Sequence, residues 1–286
     1  MTKRQRVLLG FIARAPGAVH RTHLMKWLFL LREEAPAAAG DGFYEFVPYK
    51  FGPFSFQAYR DMEGLEADGL LAPDEPRIPA AARADADAAV AELDASVADG
   101  MATILARYGE IPRDRLLDDV YARYPWYASR SELRPSVPAP VAPLAVYTVG
   151  YQGRTVDGLL DLLLRAGVRG VLDVRSNPVS RKYGFGGRTL ARLCADVGLV
   201  YAHLPSLGVP SALRGDLTSR AAYDTLFDHY EREILPGQGA ALDQAASLMR
   251  ERPMALLCFE ADPSECHRGR LAPHVAARSD LEVRAL

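Results

Sequence analysis

Four prolines fall within the ten residues Arg134–Pro143, and the hydrophobic pattern of the chain changes across them. Proline has no backbone N–H and disfavours helix in the residue before it, so this stretch predicts extended, contact-poor chain and a domain boundary. The division that follows is a domain over 1–133, a linker over 134–143 and a second domain over 144–286. A chain of 286 residues is long enough for two cores.

Before the linker the pattern is helical. Val7, Leu8, Phe11 and Ile12 form one apolar stripe, and Leu24, Trp27, Leu28 and Leu31 form another at the i, i+3, i+4, i+7 spacing. The aromatic run from Phe43 to Phe54 is broken by Pro48 and by Gly52-Pro53 and predicts extended chain. A helix over Phe56–Asp68, with Tyr59, Met62 and Leu65 inward, ends at Gly69. This order predicts a mostly α, winged-helix-like domain. The Ala/Asp-rich stretch from Ala80 to Gly100 predicts a solvated helix with Asp85, Asp87, Glu92, Asp94 and Asp99 on a wet face.

After the linker, short apolar runs alternate with amphipathic helices. Strands are predicted at Leu144–Gly150, Gly170–Arg175, Leu199–Leu204, Met254–Glu260 and Leu281–Arg284. Helices are predicted after Thr155 as N-cap and up to Gly167, then over Thr189–Val197, Arg220–Leu235, Ala240–Glu251 and Pro263–Arg278. The almost wholly apolar Met254–Phe259 is of the kind buried inside a parallel sheet. The expected fold class is therefore α/β, a mainly parallel sheet flanked by helices, preceded by the mostly α domain.

Composition narrows the partners. Hydrophobic residues are 49% and charged residues 24%, a globular balance. The net charge of -2 gives no global attraction to nucleic acid or an anionic membrane, so any affinity for phosphate must be local. Three cysteines with no CxxC pair argue against a disulfide framework and fit a reducing compartment. No stretch approaches the roughly 18 apolar residues of a membrane span, and Met1–Gly17 reads as a first helix and not as a leader. The expected location is cytoplasmic.

Open α/β sheets bind ligands beyond the carboxyl ends of their strands. That rule selects Asp173-Val-Arg175-Ser176-Asn177, then Glu260 with the following Cys266-His267-Arg268, then Tyr151-Gln152 and His203. Asp173 has two open roles, a catalytic acid or a structural acid paired with arginine. Glu260 can serve chemistry or cap the next helix. Cys258 and Cys194 are expected in the core. Cys266 lies near a helix start beside His267 and Arg268, features that favour a thiolate, although a packing cysteine is the plainer reading. Cys266, His267 and Glu260 match no standard zinc spacing, so no metal and no organic cofactor is expected. From Arg175 to Arg192 the chain carries Arg181, Lys182, Arg188 and no acid, with Tyr183 and Phe185 in a glycine-rich loop. Basic residues interleaved with aromatics suit a phosphate backbone and a stacked base.

Tyr147–Tyr151, Asp173–Pro178, Tyr201–Leu204 and Leu257–Arg268 together resemble the DUF488 family, from about residue 145 to the C-terminus. Leu24–Phe29, Tyr49–Phe54 and Leu65–Leu71 are similar to the Panacea (SocA-like, DUF4065) domain of antitoxins and phage-defence proteins. The second resemblance implies a phage-defence setting and a protein partner through residues 1–130.

The expected activity is that of a DNA glycosylase excising a modified base from DNA. Asp173 and Glu260 supply carboxylates, and Arg175 and Arg268 hold the phosphate or leaving base. His267 moves a proton, while Tyr183 and Phe185 stack against a flipped base. The alternatives are a metal-dependent nuclease, a thiol enzyme using Cys266, and a non-catalytic sensor of nucleotide or modified DNA.

Overall fold

The computed structural model describes residues 1–134, 137–213, 215 and 219–286. Contacts divide the chain into two compact units, Met1–Pro138 and Ala139–Leu286. Of the proline-rich segment, residues 135 and 136 lie outside the described residues.

The N-terminal unit is mostly helical. It begins with α1 (Lys3–Arg14), α2 (Arg21–Glu34) and the short α3 (Pro36–Ala39), followed by a hairpin of β1 (Val47–Tyr49) and β2 (Gly52–Phe54). Four helices follow: α4 (Phe56–Ala67), α5 (Arg83–Ala91), α6 (Ala95–Tyr108) and α7 (Arg113–Arg123). A Thr2–Gln5 capping box starts α1, and the Ser55 side chain accepts from the Ala58 N–H to start α4. The aliphatic stripes of α1 and α2 meet around Phe11, Trp27 and Leu28 in one core.

The Ala/Asp-rich stretch differs from its expected solvated helix. It forms the 3-10 turn Ala80–Ala82 and then two helices, broken between Ala91 and Ala95. Val90, Val97, Met101 and Ile104 are buried in the core. Small residues hid this apolar face, because alanine adds little to a periodic pattern yet packs closely.

The C-terminal unit contains β3 (Val146–Gly150), α8 (Val156–Arg165), β4 (Gly170–Asp173), α9 (Gly187–Asp196) and β5 (Val200–His203). It continues with α10 (Arg220–His229), α11 (Gly239–Glu251), β6 (Met254–Cys258), α12 (His267–Ser279) and β7 (Val283–Ala285). The five strands lie in the order β5-β4-β6-β3-β7, all parallel. Thr155 caps α8 by accepting from the Gly158 N–H, and Gly167 turns the chain after it at a φ of 74°. The expected helix over Pro263–Arg278 is instead a 3-10 turn, Pro263–Glu265, then an extended Cys266 as N-cap, then α12.

The chain leaves β4 toward β5 on one side and leaves β6 toward β7 on the other. The connections therefore diverge between the carboxyl ends of β4 and β6, which is where such sheets open a crevice.

In the N-terminal unit Lys26 is fully buried and donates to the Pro53 carbonyl at 2.9 Å. Burial lowers its pKa from 10.5 to about 7. Between those values the unfolded chain holds the extra proton, so this group makes stability rise with pH, and below about 7 its full cost is present. Lys26→Met should therefore stabilise the protein at pH 6, by on the order of 2–4 kcal/mol relative to its effect at pH 10. Urea unfolding of both proteins at the two pH values checks this; a pH-independent difference would refute it.

Candidate functional site

Two side-chain clusters occupy the crevice between β4 and β6. The first is built on Asp173, the last residue of β4, which is fully buried. Its carboxylate accepts from the Arg175 backbone N–H at 3.1 Å, from Arg175 Nε at 2.8 Å and Nη2 at 2.5 Å, and from the Tyr201 hydroxyl at 2.8 Å. The remaining Arg175 amine donates to the Tyr151 hydroxyl at 3.0 Å, and the guanidinium sits 5.2 Å from the Tyr151 ring centroid. Tyr151 stacks on Phe185 at 4.2 Å and 13°. His203 Nε2 lies 2.8 Å from the Arg175 carbonyl.

Electrostatics follow from burial. Desolvation opposes the charge on Arg175, but the hydrogen bonds and charge of Asp173 outweigh it and raise its pKa. Burial and then Asp173 raise the Tyr201 hydroxyl, and the same two causes push the Cys194 thiol to about 12. Asp173 is thus a charged clasp with both oxygens occupied.

The second cluster lies at the end of β6. Cys258 ends the strand and Glu260 follows the bend at Phe259, with Cys258 Sγ 3.6 Å from Glu260 Oε2. His267 at the start of α12 brings its Nδ1 to 3.6 Å from Cys258 Sγ and 3.9 Å from Cys266 Sγ. The ligand atoms of Cys258, Cys266 and His267 all lie within 4.8 Å of one another. His267 Nε2 is 3.1 Å from the Val174 carbonyl. A carbonyl only accepts, so Nε2 carries the proton and Nδ1 turns its lone pair to the two thiols. Burial raises the Cys266 thiol well above its usual pKa, the neighbouring Cys258 adds to this, and His267 opposes it.

A cavity of about 40 Å³ adjoins the cluster and is lined by Cys258, Cys266, His267, Glu260, Glu265 and Tyr223 among others. That is room for an ion or one to two waters. Cys258, Cys266 and His267 are buried, Glu260 is half-buried and Glu265 is exposed, so the two carboxylates form the lip.

The loop bearing Glu260 is fixed from two sides. Arg268, which is buried, donates to the Glu260 and Ala261 carbonyls. On the other side a Cβ on Gly150 would stand 1.8 Å from the Glu260 carbonyl oxygen, so that approach requires glycine. Gln152 accepts from the Ala261 N–H at 3.0 Å.

The expected site residues therefore separate. Asp173, Arg175, Tyr151, His203 and Phe185 form one network, while Glu260, Cys266, His267 and Arg268 gather around the other. Asp173 and Glu260 do not share an opening: the cavity at Glu260 is not lined by Asp173. Phe185 is fully buried with one face on Tyr151, which corrects its expected role in stacking against a flipped base. Arg268 is occupied by backbone carbonyls and is not positioned as a free phosphate clamp. Ser176 donates to the Val209 carbonyl at 2.8 Å, Tyr183 is half-buried, and Asn177, Arg181 and Lys182 are exposed. The Lys182 ammonium stands 5.6 Å from the Phe185 centroid.

Cys258 is the residue that sequence reasoning assigned only to the core. Its signal was positional: the last residue of the apolar strand, two before Glu260 and eight before Cys266.

Removing one partner of a buried ion pair strands the other charge. Asp173→Asn should destabilise the chain by about 3–5 kcal/mol, whereas Cys266→Ser should cost less than about 2 kcal/mol in metal-free protein. Denaturant unfolding in the presence of a chelator measures both, and a neutral Asp173→Asn would contradict the clasp.

No curated protein and no solved structure matches the chain. The family comparisons give no support to a Panacea domain in residues 1–133. They match residues 155–275 to the family described as domain of unknown function DUF488, a match that leaves out β3 and β7, and a DUF488-family domain therefore occupies that part of the C-terminal unit.

Proposed function

We propose that the C-terminal unit is a metal-dependent hydrolase acting on nucleic acid, with Cys258, Cys266 and His267 holding a soft divalent ion such as zinc. The observation that carries this reading is the convergence of two sulfurs and the Nδ1 lone pair within 4.8 Å of one another. Thiolate and imidazole suit zinc, and catalytic zinc sites combine three protein ligands with an open position. A metal-bound histidine usually gives its other N–H to a carbonyl or carboxylate, as His267 does to Val174.

When bound, the ion would supply Lewis acidity and a more acidic water. Glu260, on the lip of the cavity, is placed to take the proton of the attacking water. Arg181 and Arg188 are exposed, and no ion pair involving them occurs among the described residues. They supply the local positive charge that a phosphate backbone would meet.

The other readings are less well supported. A nucleophilic Cys266 would need a thiolate within reach of substrate, yet its thiol is buried and held protonated. Base excision through Asp173 would need a free carboxylate oxygen, and both are occupied. DNA as the nucleic acid, and phage or modified DNA in particular, rests on the basic segment and on the sequence resemblances.

Thiols must lose their protons to bind the ion, and burial raises the Cys266 pKa, so affinity should fall as pH falls. The full chain should take up about one zinc per molecule and release about two protons in weakly buffered solution. Cys258→Ser and Cys266→Ser should each lower zinc affinity at least about tenfold and abolish metal-dependent strand cleavage. Glu260→Gln should keep the zinc and lose cleavage by on the order of 10²–10⁴. Metal content and gel assays on unmodified and hypermodified DNA, with and without EDTA, check these outcomes. Alkali-labile abasic sites formed in EDTA would reinstate the glycosylase and overturn the metal reading.

A further inference from the structure

The N-terminal unit holds an open cavity of about 750 Å³ that the reading above does not use. Its size falls within the usual range for sites that take small organic ligands. Part of its wall is apolar, from Ile12 on α1, Val19, and Pro76 and Ile78 of the loop before α5. The rest is strongly cationic: Arg21, Arg77, Arg83 and Arg113 line it, against the acids Asp74 and Glu75.

These arginines are only lightly engaged. Arg77 pairs with Glu75 at 3.4 Å, Arg83 with Asp87 at 3.0 Å and Arg113 with Asp114 at 3.3 Å. All six side chains are more than half exposed, and such pairs contribute about 0–1 kcal/mol, so a better anion can replace them. Arg21 is held more firmly, by Glu66 at 2.7 Å.

Two helices add to the positive field. Arg21 is the first residue of α2 and Arg113 the first of α7, and neither helix has a side-chain cap. The backbone N–H groups of Arg21, Thr22 and His23 find no acceptor among the described residues, the first bond of the helix being Leu24 N–H to the His20 carbonyl, and the Thr22 hydroxyl beside them has none either. Uncapped N–H groups at a helix start favour an anionic group.

We propose that this cavity binds a small phosphorylated organic molecule of nucleotide size, with the phosphate toward Arg77, Arg113 and the start of α2, and the apolar or planar part against Val19, Pro76 and Ile78. An arginine fork fits phosphate oxygens in pairs, and the apolar wall explains why inorganic phosphate would not suffice. The site lies in a different unit from the thiol cluster, so the two proposals stand or fall separately.

Isothermal titration of the full chain tests it, with a purine nucleoside monophosphate, the same nucleoside without phosphate, inorganic phosphate, and a short single-stranded oligonucleotide. The nucleotide should bind at least about tenfold more tightly than the nucleoside or inorganic phosphate, and more weakly as salt rises. Arg77→Glu and Arg113→Glu, both at exposed positions, should each weaken nucleotide binding by about tenfold or more while leaving zinc content unchanged. Glu75→Gln should leave binding intact or strengthen it. Absence of nucleotide binding at millimolar concentration, a nucleoside that binds as tightly, preference for the oligonucleotide, or charge-reversed variants that bind like the parent would each overturn the proposal.

Discussion

The ion pair between Asp173 and Arg175 organises the C-terminal unit, because taking two charges out of water is costly unless every lone pair and N–H finds a partner. Here the cost is offset by completeness. The backbone N–H and two guanidinium nitrogens of Arg175 and the Tyr201 hydroxyl all converge on Asp173, and the last guanidinium nitrogen goes to Tyr151. The bond from the Arg175 N–H to Asp173 ties down the chain just past β4, beside the carbonyls of Val174 and Arg175. Those carbonyls in turn receive His267 and His203. The orientation of the imidazole that faces the two thiols is therefore set, through one peptide unit, by a salt bridge that faces no solvent.

The thiol cluster has the opposite electrostatic character. Burial raises the Cys266 thiol well above its usual pKa and so keeps that sulfur protonated in the metal-free protein. Its polarity is latent: two thiols and one lone pair wait for a cation that would turn all three into strong donors. The two strand ends thus differ in kind: past β4 a rigid, fully engaged ion pair holds geometry, and past β6 a set of donors is capable of holding an ion.

Much of the α/β architecture was legible from the chain, since alternating apolar runs and amphipathic helices leave few arrangements open. The Met254–Cys258 run does lie in the interior of a parallel sheet, between β4 and β3. Strand ends can be located from sequence, and that places Asp173 at the end of β4 and Glu260 two residues past β6, with His267 opening the next helix. What sequence could not supply was partnership. The same Asp173 suits a catalytic acid or a structural clasp, and only the four donors around it decide. Cys258 was hidden for a related reason, since an apolar strand gives no sign that its last residue faces a histidine from the next helix. Phe185 misled in the other direction, because a glycine-rich basic loop suggests exposure while its ring is sealed against Tyr151.

The absence of a side chain at Gly150 has a consequence that reaches beyond its own strand. The neighbouring chain passes so close that even a methyl group would collide with the oxygen of Glu260, and Arg268 donates a hydrogen bond to that same oxygen. The segment carrying the half-buried acid is thus wedged between a void on one strand and a cation on a helix. Variation at position 150 would be read out not as a weakened sheet but as a misplaced carboxyl group, making the smallest residue at the rim a determinant of where the acid sits.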